Sequence, residues 1–166
     1  MKGLKKFWNS FEEISAGTFF FAGITLIFYG VIMRYVFNEP KAWVEEVVRY
    51  LIIWGSFLGF AIALRYNQHI QVDILYDKLS ERGQKILDIF ATSVSIIFCL
   101  IYTYYGFILV ENRFHSGMVS LDVGIPMWIV YLILPISGFL FLIRFIERFV
   151  NVLKGKEEMQ HDHPTA

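Results

Sequence analysis

Of the 166 residues, 56% are hydrophobic and 18% charged, against an apolar share of roughly 45 to 50% in soluble globular proteins. Fifteen Lys and Arg balance fifteen Asp and Glu, so the chain has neither the basic excess of a nucleic-acid binder nor an acidic solvating tail. The single cysteine, Cys99, excludes an intrachain disulfide framework and a Cys-rich metal centre.

In chain order, Leu4, Phe7, Trp8, Phe11 and Ile14 fall on one side of a helix, opposite Lys5, Lys6, Asn9, Glu12 and Glu13. This is the pattern of an amphipathic segment lying at a membrane surface. Residues 14–33 follow without a charge, long enough at about 1.5 Å per residue to cross a ~30 Å hydrocarbon layer. The run is too long for a signal-peptide core, and it ends in Met33-Arg34-Tyr35 rather than a small-x-small cleavage site, so it reads as a retained span. Residues 89–110 and 123–143 qualify in the same way. The remaining run, 50–64, is shorter and has to begin near Trp43, taking Glu45, Glu46 and Arg49 into its first turns.

The sequence therefore predicts an all-α integral membrane protein with spans over about 14–36, 43–64, 87–110 and 123–144. They form one domain, 1–154, with a flexible tail over 155–166 that includes His161 and His163. A second, weaker amphipathic pattern occupies Val72, Leu75, Tyr76 and Leu79, and Ser80 is placed to cap the third span. Eleven Lys and Arg flank one side of these spans and four (Arg34, Lys41, Arg49, Arg113) flank the other. By the positive-inside rule both termini are expected in the cytoplasm.

Helices associate in lipid where small side chains admit close approach. Gly55, Gly59 and Ala63 recur at four-residue spacing, as do Ala91, Ser95, Cys99 and Thr103, while Ala16, Gly23 and Gly30 are seven apart. Trp43, Trp128 and Tyr131 suit the interfacial belt. Trp54, about 16 Å deeper than Trp43 at helical rise, is expected against protein.

The middle of every span is neutral, without Asp, Glu, Lys, Arg or His, which argues against a self-sufficient ion or substrate pathway. No phosphate loop, zinc motif or intramembrane His pair occurs, so no catalytic, cofactor or metal residues are expected. Charge is instead concentrated where Arg34 ends the first span and Glu45, Glu46 and Arg49 begin the second, across a turn through Asn38-Glu39-Pro40. Glu45 and Glu46 stand four and three residues before Arg49, so they can pair along the helix while Arg34 reaches across. This is either an ion-pair clamp or a docking point. His69, four residues before Asp73, suggests a hydrogen-bonded structural clasp, since one His and one Asp make a poor metal site.

Taken in order, Arg34-Tyr35-Val36-Phe37, Trp43-Val44-Glu45-Glu46, Trp54 with Phe57-Leu58-Gly59, the stretch from His69 to Asp73, and Ile125-Pro126-Met127-Trp128 resemble the small membrane subunit of tripartite ATP-independent periplasmic (TRAP) transporters. The resemblance implies a bacterial inner-membrane secondary transporter that imports an organic acid, such as a C4-dicarboxylate or sialic acid. It also implies two partners, a periplasmic binding protein and a separate large membrane subunit that holds the sodium and substrate sites. The residues expected to serve structure or partner contact are Arg34, Trp43, Glu45, Glu46, Arg49, Trp54, Gly55, Gly59, His69, Asp73, Pro126 and Trp128. The competing readings are a stand-alone four-helix exporter and a membrane assembly protein unrelated to transport.

Overall fold

The computed structural model describes residues 2–65 and 80–153. Five helices account for nearly all of them: α1 (Lys2–Tyr35), α2 (Ala42–Arg65), α3 (Glu81–Ser116), α4 (Met127–Tyr131) and α5 (Ile133–Leu153). Four stretches are long and apolar enough to cross a membrane: Asn9–Tyr35, Ala42–Arg65, Gly83–Ser116 and Met127–Leu153. The last joins α4 and α5, which are separated by Leu132 alone. Pro135 has no N–H to offer the Tyr131 carbonyl four residues earlier, which accounts for the interruption.

α1 lies along α2 and α3 along α5, and the two pairs join where α2 meets α5. An even number of crossings puts Lys2 and Leu153 at the same end, here termed the Glu12 end; the opposite one is the Glu46 end. Ala16, Leu58, Ala61, Ile133 and Leu140 form the buried core, flanked by Phe19, Trp54, Phe57 and Phe141. Only 11% of the apolar window is buried in α1 and in α3, against 33% in the α4–α5 span. The first and third spans therefore face outward along most of their length.

Close approach is set by the small residues. In α1 the seven-residue repeat faces α2: Ala16 is buried, and a Cβ on Gly30 would lie 3.2 Å from Val44 Cγ1. In α3 the buried positions are Thr92, Cys99 and Gly106, whereas Ala91 is exposed. A Cβ on Gly106 would stand 3.1 Å from the Pro135 nitrogen, so this glycine admits the proline that interrupts the fourth span.

The N-terminal segment is helical as expected, but it runs into the first span without a break, and Glu12 from its polar face turns inward. Phe11 and Ile14 are exposed while Glu12 is 2% exposed. In a hydrocarbon surround, apolar side chains gain nothing by hiding, and a carboxylate needs partners that only the neighbouring helices supply. Ser80 occupies the N-cap position of α3 with extended backbone (φ −64°, ψ 156°), yet its side chain makes no capping hydrogen bond. The amphipathic pattern over 72–79 lies outside the described residues.

Candidate functional site: two polar clusters at the ends of the spans

At the Glu46 end, α1 closes through Asn38, which takes a left-handed φ of 54°, a conformation that asparagine tolerates better than most residues. The Glu39 amide donates to the Met33 carbonyl at 2.9 Å. Lys41 Nζ donates to Glu39 Oε2 at 2.8 Å, and this hydrogen bond holds the exposed Glu39 carboxyl below its usual range and Lys41 above its own. Across the turn, Arg34 pairs with Glu45, both side chains more than half exposed.

Glu46 takes a different partner set from the one the helical spacing suggests. It is 9% exposed, and its carboxylate accepts from the Tyr50 hydroxyl one turn along α2. It also accepts from the backbone amides of Asp122 at 2.8 Å and Val123 at 3.1 Å, in the loop between α3 and α4. Arg49 is exposed and makes no ion pair among the described residues. Two converging backbone N–H groups give the carboxylate charge-assisted partners without a cation.

The loop that Glu46 grips has its own scaffold. Gly117 ends α3 in the left-handed region (φ 61°) and Gly124 repeats that conformation (φ 74°). A single bridge joins Val119 to Pro126, and the Ser120 amide donates to the Ile125 carbonyl at 2.8 Å. Pro126 thus closes the loop and stands at the N-cap of α4. Trp128 meets Phe114 edge-on at 5.8 Å, and the Arg113 guanidinium lies 5.4 Å from the Tyr131 ring. Leu121, at the tip, is 98% exposed.

Nearby, Trp43 is partly exposed beside Tyr29, with ring centroids 6.3 Å apart. Trp54 is half-buried against Phe19 at 6.0 Å, as its depth required. Gly55 seats Phe20: a Cβ there would lie 3.2 Å from Phe20 Cδ2, and Gly59 is looser, at 3.8 Å from Cε2. His69 and Asp73 lie outside the described residues.

The Glu12 end holds a cluster that spacing along single helices cannot reveal. Arg144 Nη2 donates to Glu12 Oε2 at 2.9 Å and to Asn9 Oδ1 at 3.2 Å. Arg65, the last residue of α2, pairs with Glu13 and lies 4.0 Å from Glu12. Arg144 also reaches Glu147 at 3.5 Å, and Arg148 reaches Asp88 on α3 at 3.6 Å. All four spans are tied here through ion pairs. The sequence signal was present, since Asn9, Glu12 and Glu13 share one face and Arg144 closes an apolar run. Their meeting depends on α1, α2 and α5 sharing one end.

Among the described residues, no group of three His, Cys, Asp or Glu could hold a metal ion. The charges serve to join helices and a loop, in a protein whose four apolar helices make it a multi-pass membrane protein. Residues 23–155 match the family described as tripartite ATP-independent periplasmic transporters, DctQ component. The chain belongs to that family, a transporter component and not an enzyme.

It is 30% identical over 158 residues to a TRAP transporter small permease protein of Haemophilus influenzae, covering 92% of this chain and 94% of the relative. It is 26% identical over 154 residues to the sialic acid TRAP transporter permease protein SiaT of Haemophilus influenzae, covering 91% of this chain and 24% of that one. The C4-dicarboxylate TRAP transporter small permease protein DctQ of Rhodobacter capsulatus is 26% identical over 121 residues, with 73% and 53% covered. The chain thus spans about a quarter of SiaT and about half of that DctQ.

Proposed function

We propose that this chain is the small permease subunit of a sodium-coupled TRAP transporter that imports an organic acid across the bacterial inner membrane. In this reading both termini are cytoplasmic, and the chain anchors a large transport subunit. The carrying observation is how its charge is used: the clusters around Glu12 and Glu46 hold spans and a loop together at the two ends, and the apolar middle of each span has no Asp, Glu, Lys, Arg or His. A protein so built braces; it has no charged group at mid-membrane to bind an ion or a carboxylate in transit. The match to one quarter of SiaT supports a division of labour in which this four-span unit works beside a larger membrane unit.

The substrate class rests on the relatives' names, which include sialic acid and C4-dicarboxylate. The residues predicted to serve partner contact, among them Arg34, Trp43, Glu45, Arg49, Pro126 and Trp128, gather at the Glu46 end. There they form the surface we assign to a periplasmic binding protein. The test is reconstitution of the large subunit with and without this chain, in liposomes given a sodium gradient and the binding protein. Uptake should require both membrane subunits. Full uptake without this chain refutes the bracing role, and flux through this chain alone establishes the stand-alone exporter.

A further inference from the structure

α1 and α3 both turn an exposed face outward, but the two faces differ in their polar groups. In α3, Tyr104 and Tyr105 are 64% and 63% exposed, and their rings meet edge-on with centroids 5.5 Å apart. Neither hydroxyl has a hydrogen-bond partner among the described residues, whereas the Tyr102 hydroxyl, turned inward on the same helix, lies 3.3 Å from Ser137 Oγ.

The depth of the exposed pair follows from its neighbours. Trp128 and Tyr131 have the character of the interfacial belt, and they pack on Phe114 and Arg113. Tyr104 and Tyr105 lie nine and eight residues below Arg113, about 12–14 Å at helical rise, which is farther than a tyrosine side chain reaches. They also lean the wrong way, because helical side chains tilt toward the N-terminus and α3 begins at the Glu12 end. The two hydroxyls are therefore held inside the hydrocarbon layer, where lipid tails offer no acceptor and an unpaired hydroxyl is costly.

α1 has no such need. Tyr29, packed on Trp43, and Tyr35 stand near the Glu46 end. The hydroxyls deeper on its outward face belong to threonines, which can satisfy themselves on their own helix, as Thr25 does at the Phe21 carbonyl (2.8 Å). A phenol is too long to fold back in that way.

An acceptor at the depth of Tyr104 and Tyr105 has to come from another protein helix, which a purely lipid surround does not supply. A second copy of this chain is a poor fit. Helices approach closely in a membrane where small residues meet, yet every exposed residue of α3 from Ile97 to Phe107 is bulky, so two such faces would oppose bulk to bulk. The fitting partner is an unlike helix, with small residues opposite the tyrosines and a side-chain oxygen or backbone carbonyl within their reach.

We propose that the outward face of α3 around Tyr104 and Tyr105 packs against a transmembrane helix of the large transport subunit and hydrogen-bonds to it. This rests on the small-subunit role proposed above and adds to it the face and the chemistry of the contact.

The test uses the assembled complex purified in mild detergent, with a photoreactive benzoylphenylalanine at position 101, one turn from both tyrosines, and identifies the adducts by mass spectrometry. If the large subunit does not copurify, the proposed function itself fails and this contact with it. If it does copurify, the expected product is a cross-link to one of its transmembrane segments; adducts to lipid alone, or to a second copy of this chain, overturn the contact and leave the function standing. In parallel, Tyr104→Phe combined with Tyr105→Phe keeps both rings and removes both hydroxyls. It should lower the large subunit retained through a stringent detergent wash about tenfold, while Tyr35→Phe, at the end of α1, should leave retention unchanged. Equal retention in the two variants, each present at normal levels, also overturns the contact.

Discussion

Glu46 Oε2 lies 2.8 Å from the backbone nitrogen of Asp122, so a side chain in the second turn of α2 holds the loop that leads into the fourth span. The loop's geometry is thereby coupled to α2 through a carboxylate rather than through apolar contact. Replacing Glu46 with Ala leaves the Asp122 and Val123 amides without that acceptor. The expected cost is about 1–3 kcal/mol, with faster amide exchange confined to 117–126. Hydrogen–deuterium exchange of the purified protein checks this; unchanged protection of that loop contradicts it.

At the other end, Glu12 is nearly inaccessible and Arg144 bonds to it directly. Removing one member of a buried pair costs about 3–5 kcal/mol because the other charge is stranded. Glu12→Leu and Arg144→Met should each lower the thermal midpoint sharply, and the double variant should recover a large part of the loss. Additive losses in the double variant would show that the pair is not coupled.

The exposed pair behaves differently. Arg34 and Glu45 both lie more than half in solvent, where an ion pair contributes at most about 1 kcal/mol. Glu45→Ala should therefore leave the amount of assembled complex near the unsubstituted level. If uptake nevertheless falls, the pair acts in docking; a loss of assembly would instead make it a clamp.

Two glycines give a matched comparison. A Cβ on Gly138 would run into Thr103 and Tyr102, whereas one on Gly17 meets nothing within 4 Å. Gly138→Ala should destabilise by about 1–3 kcal/mol through overpacking, read as a lower thermal midpoint. Gly17→Ala should be neutral or slightly stabilising, since alanine favours a helix by up to about 1 kcal/mol.

The four spans were legible because apolar length and charge spacing are local properties of the chain, and bilayer thickness fixes how long a span must be. The small-residue repeats in α1 and α2 were legible for the same reason, as was the depth of Trp54. Side-chain partnership was not. Periodicity along one helix offered Arg49 to both Glu45 and Glu46, yet Glu45 pairs with Arg34 and Glu46 with a loop 76 residues away. It also set Glu12 on a polar face without showing that this face would turn toward Arg144.

What the sequence determined by itself is that this chain crosses a membrane four times with its charge held at the ends, since lipid excludes unsatisfied polar groups wherever they fall in the fold. Which charges meet, which glycine admits Pro135, and which tyrosines of α3 face outward were decided only by the tertiary structure. Those contacts depend on the relative rotation and depth of helices distant in sequence, which no single helix encodes.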